Sequence, residues 1–151
     1  MSNEYLTKKN SFGKGVEHKV FSILLEQNFD VYVPLLDDRG IDCVVRSSSG
    51  DKYVELQIKA RSKNNKGGGF GYFRKVEYYC RDNYYYVFYS EYEDSSYIWC
   101  IPSNKIGDLV RINHKTNSFA IRLLSKRKQK RIPNTKYDSY RVVNFDFRNC
   151  F

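Results

Sequence analysis

Asp42, Glu55, Gln57 and Lys59 are the residues of this 151-residue chain whose types and spacing could do chemistry. The run Val54-Glu55-Leu56-Gln57-Ile58-Lys59 alternates apolar and polar. Successive side chains of a strand point to opposite faces, so Glu55, Gln57 and Lys59 share one face while Val54, Leu56 and Ile58 share the other. If Arg39-Gly40-Ile41-Asp42-Cys43-Val44-Val45 forms a strand that folds back on this one, Asp42 meets the end where Gln57 and Lys59 lie. A carboxylate, an amide and an ammonium then converge. Such groups are costly to bury unpaired, so this face calls for something to compensate them. The plainer alternative is an amphipathic strand with one wet face.

The elements needed to position these groups are legible around them. Phe12 to Phe29 reads as a first helix, with Val16, Lys19, Val20, Ile23, Leu24 and Gln27 at three- and four-residue steps and Asn28 at its end. Phe29 to Val33 reads as a short strand stopped by Pro34. Ile41 to Arg46 and Lys52 to Ala60 form a hairpin across the turn-favouring segment from Ser47 to Asp51. Phe73 to Cys80 is expected to be a second helix, and Tyr84 to Ser90 and Tyr97 to Ile101 two aromatic, β-branched strands. Ser103 is placed to cap a short helix over Asn104 to Val110. Ser118 to Leu124 and Tyr140 to Phe147 alternate as strands would. This order implies an α/β or α+β domain, a mixed sheet flanked by helices.

At these residues the sequence resembles the PD-(D/E)XK nuclease superfamily, the fold of restriction endonucleases and archaeal Holliday-junction resolvases. The matching signature is Glu17 in the first helix, Asp42 at the start of the second strand, and Gln57-Ile58-Lys59 on the third, with Asp42 and Gln57 fifteen residues apart. Tyr85-Tyr86-Val87-Phe88 and Trp99-Cys100-Ile101-Pro102-Ser103 look like the strands that follow this core in small bacterial relatives. The likeness runs from about Phe12 to Ile106, leaving 107–151 as a basic C-terminal β extension of a single nuclease-like domain.

The resemblance implies a restriction-endonuclease-like fold and metal-dependent hydrolysis of DNA phosphodiester bonds. Asp42, Glu17, Gln57 and the Ile58 backbone carbonyl would hold Mg²⁺ or Mn²⁺, and Lys59 would orient the attacking water and stabilise the phosphate. Gln57 departs from the pattern, since many members carry Glu or Asp there; a neutral amide supplies one fewer negative charge. Asp37 and Asp38 are alternative ligands, behind Asp42. Two such domains often pair to cut both strands, so a homodimer is among the expectations.

Charge adds a class of partner. The chain holds 26 Lys and Arg against 17 Asp and Glu, a net charge of +9. Residues 1–103 carry 14 basic and 14 acidic residues, whereas 104–151 carry 12 basic and 3 acidic. One-sided positive charge is the footprint of a protein that meets a polyanion, usually nucleic acid. The run Lys126, Arg127, Lys128, Gln129, Lys130, Arg131 could grip phosphates or be a solvated hairpin tip. Lys63, Lys66, Arg74 and Lys75 flank the glycine-rich stretch Asn64 to Gly71, a plausible flap beside a substrate. Among the aromatic residues Phe70, Tyr72, Tyr137 and Tyr140 are the candidates for stacking on bases, while Tyr84, Tyr86, Phe88 and Trp99 read as core.

Other classes recede. Cys43, Cys80, Cys100 and Cys150 form no CxxC pair, and His18 and His114 are isolated, so a Cys/His metal site is not expected; reduced thiols are. His18 reads as a surface residue. No apolar run approaches the roughly 20 residues of a membrane span, and Met1 to Asn10 has no signal-peptide pattern, so a cytoplasmic protein with no membrane partner is expected. Two alternatives stay open: a nucleic-acid-binding module on the same fold without cleavage, and an oligomerisation or protein-interaction domain.

Overall fold

Val16, Val20 and Leu24 recur at four-residue steps and are buried with Phe21, which is what drives helix α1 (Asn3–Glu26) onto the sheet. The computed structural model describes residues 3–36, 39–64 and 69–151, with side chains from Asn10 onward; Asp37, Asp38 and Lys66 lie outside the described residues. Helix α1 starts earlier than the apolar spacing suggests and runs through Gly13 and Gly15. It stops where Asn28 adopts a left-handed φ of 64°. The Asn28 amide then bonds the Leu25 carbonyl (3.0 Å) and the Phe29 amide the Leu24 carbonyl (3.1 Å), closing the helix and turning Phe29 into the core.

The strands follow as β1 (Asp30–Tyr32), β2 (Cys43–Arg46), β3 (Tyr53–Arg61), β4 (Tyr72–Glu77), β5 (Tyr84–Tyr92), β6 (Ser95–Pro102), β7 (Ile112–Asn113), β8 (Ser118–Arg122), β9 (Leu124–Arg127) and β10 (Lys130–Pro133). The main sheet has the order β1-β2-β3-β5-β6, antiparallel except for the parallel pair β3–β5. Strands β4, β8 and β7 make a second, three-stranded sheet, and β9 and β10 a separate hairpin. The β2–β3 turn closes as the composition suggests: the Ser47 amide bonds the Lys52 carbonyl at 2.9 Å and Gly50 has φ 78°.

Alternation on β3 and β5 gives two cores, one on each face of the main sheet. Leu56, Ile58, Val87 and Tyr89 pack with α1 and Phe147. Tyr84, Tyr86 and Phe88 face the other way, with Trp99, onto Phe73, Val76, Phe119 and Ile121 of the second sheet. The result is a mixed α/β fold, as expected. Residues beyond 106 are woven into both cores. No helix among the described residues is long and apolar enough to cross a membrane.

Four expectations are corrected. Phe73 to Cys80 is not a helix: Phe73 and Val76 are both buried three residues apart, a helical spacing, but a register shift between them in the β4–β8 pair produces it. Tyr140 to Phe147 is not a strand. It is divided between 3-10 turns Thr135–Tyr140 and Val143–Phe145, with positive φ at Asn144 and Phe145. The Gln27 side chain takes the place of a strand partner there, donating to the Phe145 carbonyl (2.7 Å) and accepting from the Phe147 amide (2.8 Å). Ser103 does not cap the short helix α2 (Ile106–Leu109); its hydroxyl is buried, donates to the Arg81 carbonyl (2.7 Å) and accepts from the Arg81 amide (3.0 Å). Tyr137 is buried in the second core and not displayed for stacking.

Candidate active site

The β2–β3 ladder ends at the rung Cys43–Leu56, and the chain before it supplies the site. The Asp42 amide bonds the Leu56 carbonyl at 2.8 Å, and Asp42 Oδ2 accepts from the Ile58 amide at 2.6 Å. A side chain thus replaces the next backbone rung. This fixes Asp42 opposite Gln57, the pairing that the sequence alternation implies. Gly40 makes the approach with φ 63°, and the Tyr84 hydroxyl donates to its carbonyl at 2.6 Å. A Cβ at residue 40 would lie 2.6 Å from Gln57 Nε2 and 3.2 Å from the Tyr79 ring, so only glycine fits.

Gln57 is 5% exposed, and among the described residues its Oε1 has no hydrogen-bond partner. Lys59, half-buried two residues further, shares its face. Glu55, on the same face, is committed elsewhere: its carboxylate pairs with Arg81, whose guanidinium sits 4.9 and 5.0 Å from the ring centres of Tyr79 and Tyr84. Nothing in the local sequence signals that pair, since Arg81 follows 26 residues later.

Glu17 belongs to the helical layer on the opposite face and pairs with Lys14 at 2.7 Å. The two carboxylates nevertheless act on one group. The Cys43 thiol is pushed up to about 12, by burial first and then by the negative charges of Asp42 and Glu17. Both negative charges are therefore felt at the start of β2. His18 is exposed, with its ring 5.7 Å from that of Phe21.

Among the described residues no three His, Cys, Asp or Glu side chains gather as a metal cage. The oxygens present still suit a hard cation that keeps several waters: a carboxylate at Asp42 and a buried, unpartnered amide oxygen at Gln57. A buried oxygen with no donor is unusual and is satisfied by a ligand that accepts its lone pairs.

The cations spread over two places. Lys63 is exposed and lies 3.7 Å from Asp94. Arg74 and Lys75 are exposed on β4. Lys126 and Arg127 on β9 face Arg131 and Lys130 on β10 across an antiparallel register, with Lys128 at the tip at φ 54°. Like charges directly opposite repel, so this hairpin is a cationic finger in want of anions. Tyr72, a stacking candidate, is half-buried between Arg122 and Arg74, with ring-centre distances of 4.1 and 5.9 Å. Arg122 has no local sequence signal; the β4–β8 pairing alone brings it here.

No family model matches this sequence, and no curated protein matches it. In three dimensions the chain is similar to a bacterial homing endonuclease, I-Ssp6803I, with a TM-score of 0.55 at 18% identity over 85% of each chain. At that identity the likeness concerns the fold alone.

Proposed function

We propose that this protein is a metal-dependent nuclease acting on DNA phosphodiester bonds. The observation that carries the reading is the buried Oε1 of Gln57, without a hydrogen-bond partner among the described residues, on the strand to which the Asp42 carboxylate is tied and with Lys59 on the same face. The fold likeness to a homing endonuclease and the excess of +9 support it.

In this reading Asp42 and Gln57 would hold Mg²⁺ or Mn²⁺ with the Ile58 carbonyl, and Glu17, paired with Lys14 in the layer on the other face, would add its charge or reach the cation through water. When bound, such a cation lowers the pKa of a water and neutralises charge on the phosphate. Asp42 is oriented by the Ile58 amide, so its carboxylate is presented without rotamer search. Lys59 orients the attacking water and places positive charge where the phosphate oxygens gain negative charge. Gln57 and Lys59 ride on a strand and Asp42 is tied to that strand, which keeps their spacing fixed.

The test is cleavage of labelled duplex, single-stranded and branched DNA with Mg²⁺ or Mn²⁺, comparing the wild type with Asp42→Ala and Lys59→Ala and with a chelator control. Metal-dependent cutting that disappears in both variants is the expected result. A wild type that binds every substrate and cuts none overturns the reading. A second reading, a DNA-binding module without turnover, then takes its place; the observation favouring it is the neutral amide at Gln57 where a carboxylate would hold a cation more tightly.

A further inference from the structure

Strand β4 carries an irregularity that changes which of its side chains face solvent. Phe73 and Val76 both point into the second core, and the two residues between them both point out. A regular strand would turn one of Arg74 and Lys75 inward. The bulge avoids this by placing Lys75 at φ 54°, a left-handed conformation that costs a non-glycine residue on the order of 1 kcal/mol or more. Strain of this kind re-aims side chains, and here it aims two consecutive cations at solvent.

Beside them the Arg122 guanidinium lies 4.1 Å from the Tyr72 ring centre, with that of Arg74 5.9 Å away. Arg61 completes the group, donating from Nε to the Tyr72 carbonyl at 3.1 Å while lying 5.5 Å from the Phe73 ring centre. A guanidinium held over a ring, as Arg122 is over Tyr72, offers a planar fork of N–H donors suited to bidentate phosphate contacts. Among the described residues no ion pair engages Arg74, Lys75 or Arg122; the acid carried by the same strand is Glu77, two positions on. With Arg122 on the Tyr72 ring, the ligand favoured is a phosphate and not a stacked base.

Arg61 links the cluster to the strand that carries the candidate active site. Arg61 follows Lys59 by two on β3 and so shares its face, and Gly71, just before Tyr72, packs against Leu124 at the root of the cationic hairpin.

We infer that the outer face of β4 and β8, formed by Arg74, Lys75 and Arg122 around Tyr72, is a docking surface for the backbone phosphates of duplex DNA. The inference rests on the proposed function for the identity of the polyanion. It adds the surface that holds the duplex while a strand lies at Asp42 and Lys59.

The experiment is binding of a labelled duplex to the full chain in chelator, where no cutting occurs, across a series of salt concentrations. Removing one phosphate-binding cation lowers the slope of log affinity against log salt by about 0.9. Arg74→Gln with Arg122→Gln is expected to lower it by roughly 1.8, whereas Lys52→Gln, at the turn remote from Asp42, is expected to leave it unchanged. Arg122→Lys keeps the charge but loses the flat fork, and is expected to weaken binding with a smaller change in slope. Melting temperatures check that each variant is folded. A double variant with wild-type affinity and slope overturns the inference, as does a wild type that does not bind duplex at all. If the double variant binds as expected and the wild type fails to cut with Mg²⁺ or Mn²⁺, the surface stands and the nuclease reading falls.

Discussion

The side-chain amide of Gln57 packs against the α-carbon of Gly40 so closely that a Cβ there would sit 2.6 Å from Nε2. This contact sets the distance between the chain leading to Asp42 and the strand bearing Lys59. Gly40→Ala meets two obstacles, the φ of 63° and a clash that is relieved only by moving Gln57 or Tyr79. The expected cost is about 1–3 kcal/mol, a drop in melting temperature of roughly 2–4 °C per kcal/mol for a chain of this size. Cleavage should fall further than stability alone accounts for. A variant that melts and cuts as the wild type does would show that the contact does not position the site.

Tyr84→Phe tests the same segment from the other side. The hydroxyl donates to the Gly40 carbonyl at 2.6 Å in a fully buried position, and burial holds this phenol well above its ordinary range. Removing it leaves the carbonyl without that donor, at a cost of about 1–3 kcal/mol. Because Gly40 and Tyr84 act on one peptide, the Gly40→Ala, Tyr84→Phe double variant should lose less than the sum of the two. Strict additivity in thermal melts would sink the idea of a shared support.

The hairpin that brings Asp42 to Gln57 is readable from sequence because it obeys local rules: strict alternation, a serine-rich turn with Gly50, and a register that the turn itself sets. Glu17 is readable as a helix residue, and its pairing with Lys14, three residues before it, follows the helical spacing. Where local pattern misleads, distant partners decide the outcome. Phe73 and Val76 mimic a helix only because a bulge against β8 inserts an extra residue. The alternation at Tyr140 to Phe147 is overridden by the Gln27 side chain reaching across from the end of α1. Arg81, Tyr84 and Arg122 enter the site and its surroundings through tertiary pairings with no sequence period. Ser103 shows the same limit, since its hydroxyl serves Arg81 and not the helix beside it.

Gln57→Glu separates a cation site from a structural amide. In the cation-free protein a carboxylate at this 5%-exposed position sits beside Asp42, so burial and like charge both oppose its ionisation. The variant should therefore melt below the wild type in chelator and gain more from Mn²⁺ or Mg²⁺ than the wild type does, with half-maximal response at lower metal. Gln57→Leu removes the orphaned oxygen and should melt near the wild type in chelator, but lose its response to metal. Equal metal responses across wild type, Gln57→Glu and Gln57→Leu would exclude Gln57 as a ligand.

Cys43 gives the site a signature in alkali that needs no substrate. Its thiol is raised from an ordinary value near 9 to about 12, by burial first and by the Asp42 and Glu17 charges after it. A folded pKa above the unfolded one means that the unfolded chain loses its proton first as pH rises. The stability held by the neutral thiol is thus complete below about 9 and falls between 9 and 12, by up to about 1.4 kcal/mol per pH unit. Tyr84 and Tyr86, also raised by burial, slope the same way, so the wild-type curve alone does not isolate the cysteine. Cys43→Ala does: its deficit against the wild type, read by denaturant unfolding, should shrink as pH climbs through this window. Asp42→Asn, with the thiol kept, should lower the Cys43 pKa, so that the fall begins at the same pH but ends sooner and is smaller in total. Parallel curves for wild type and Cys43→Ala from neutral pH upward would mean that the thiol is not held neutral.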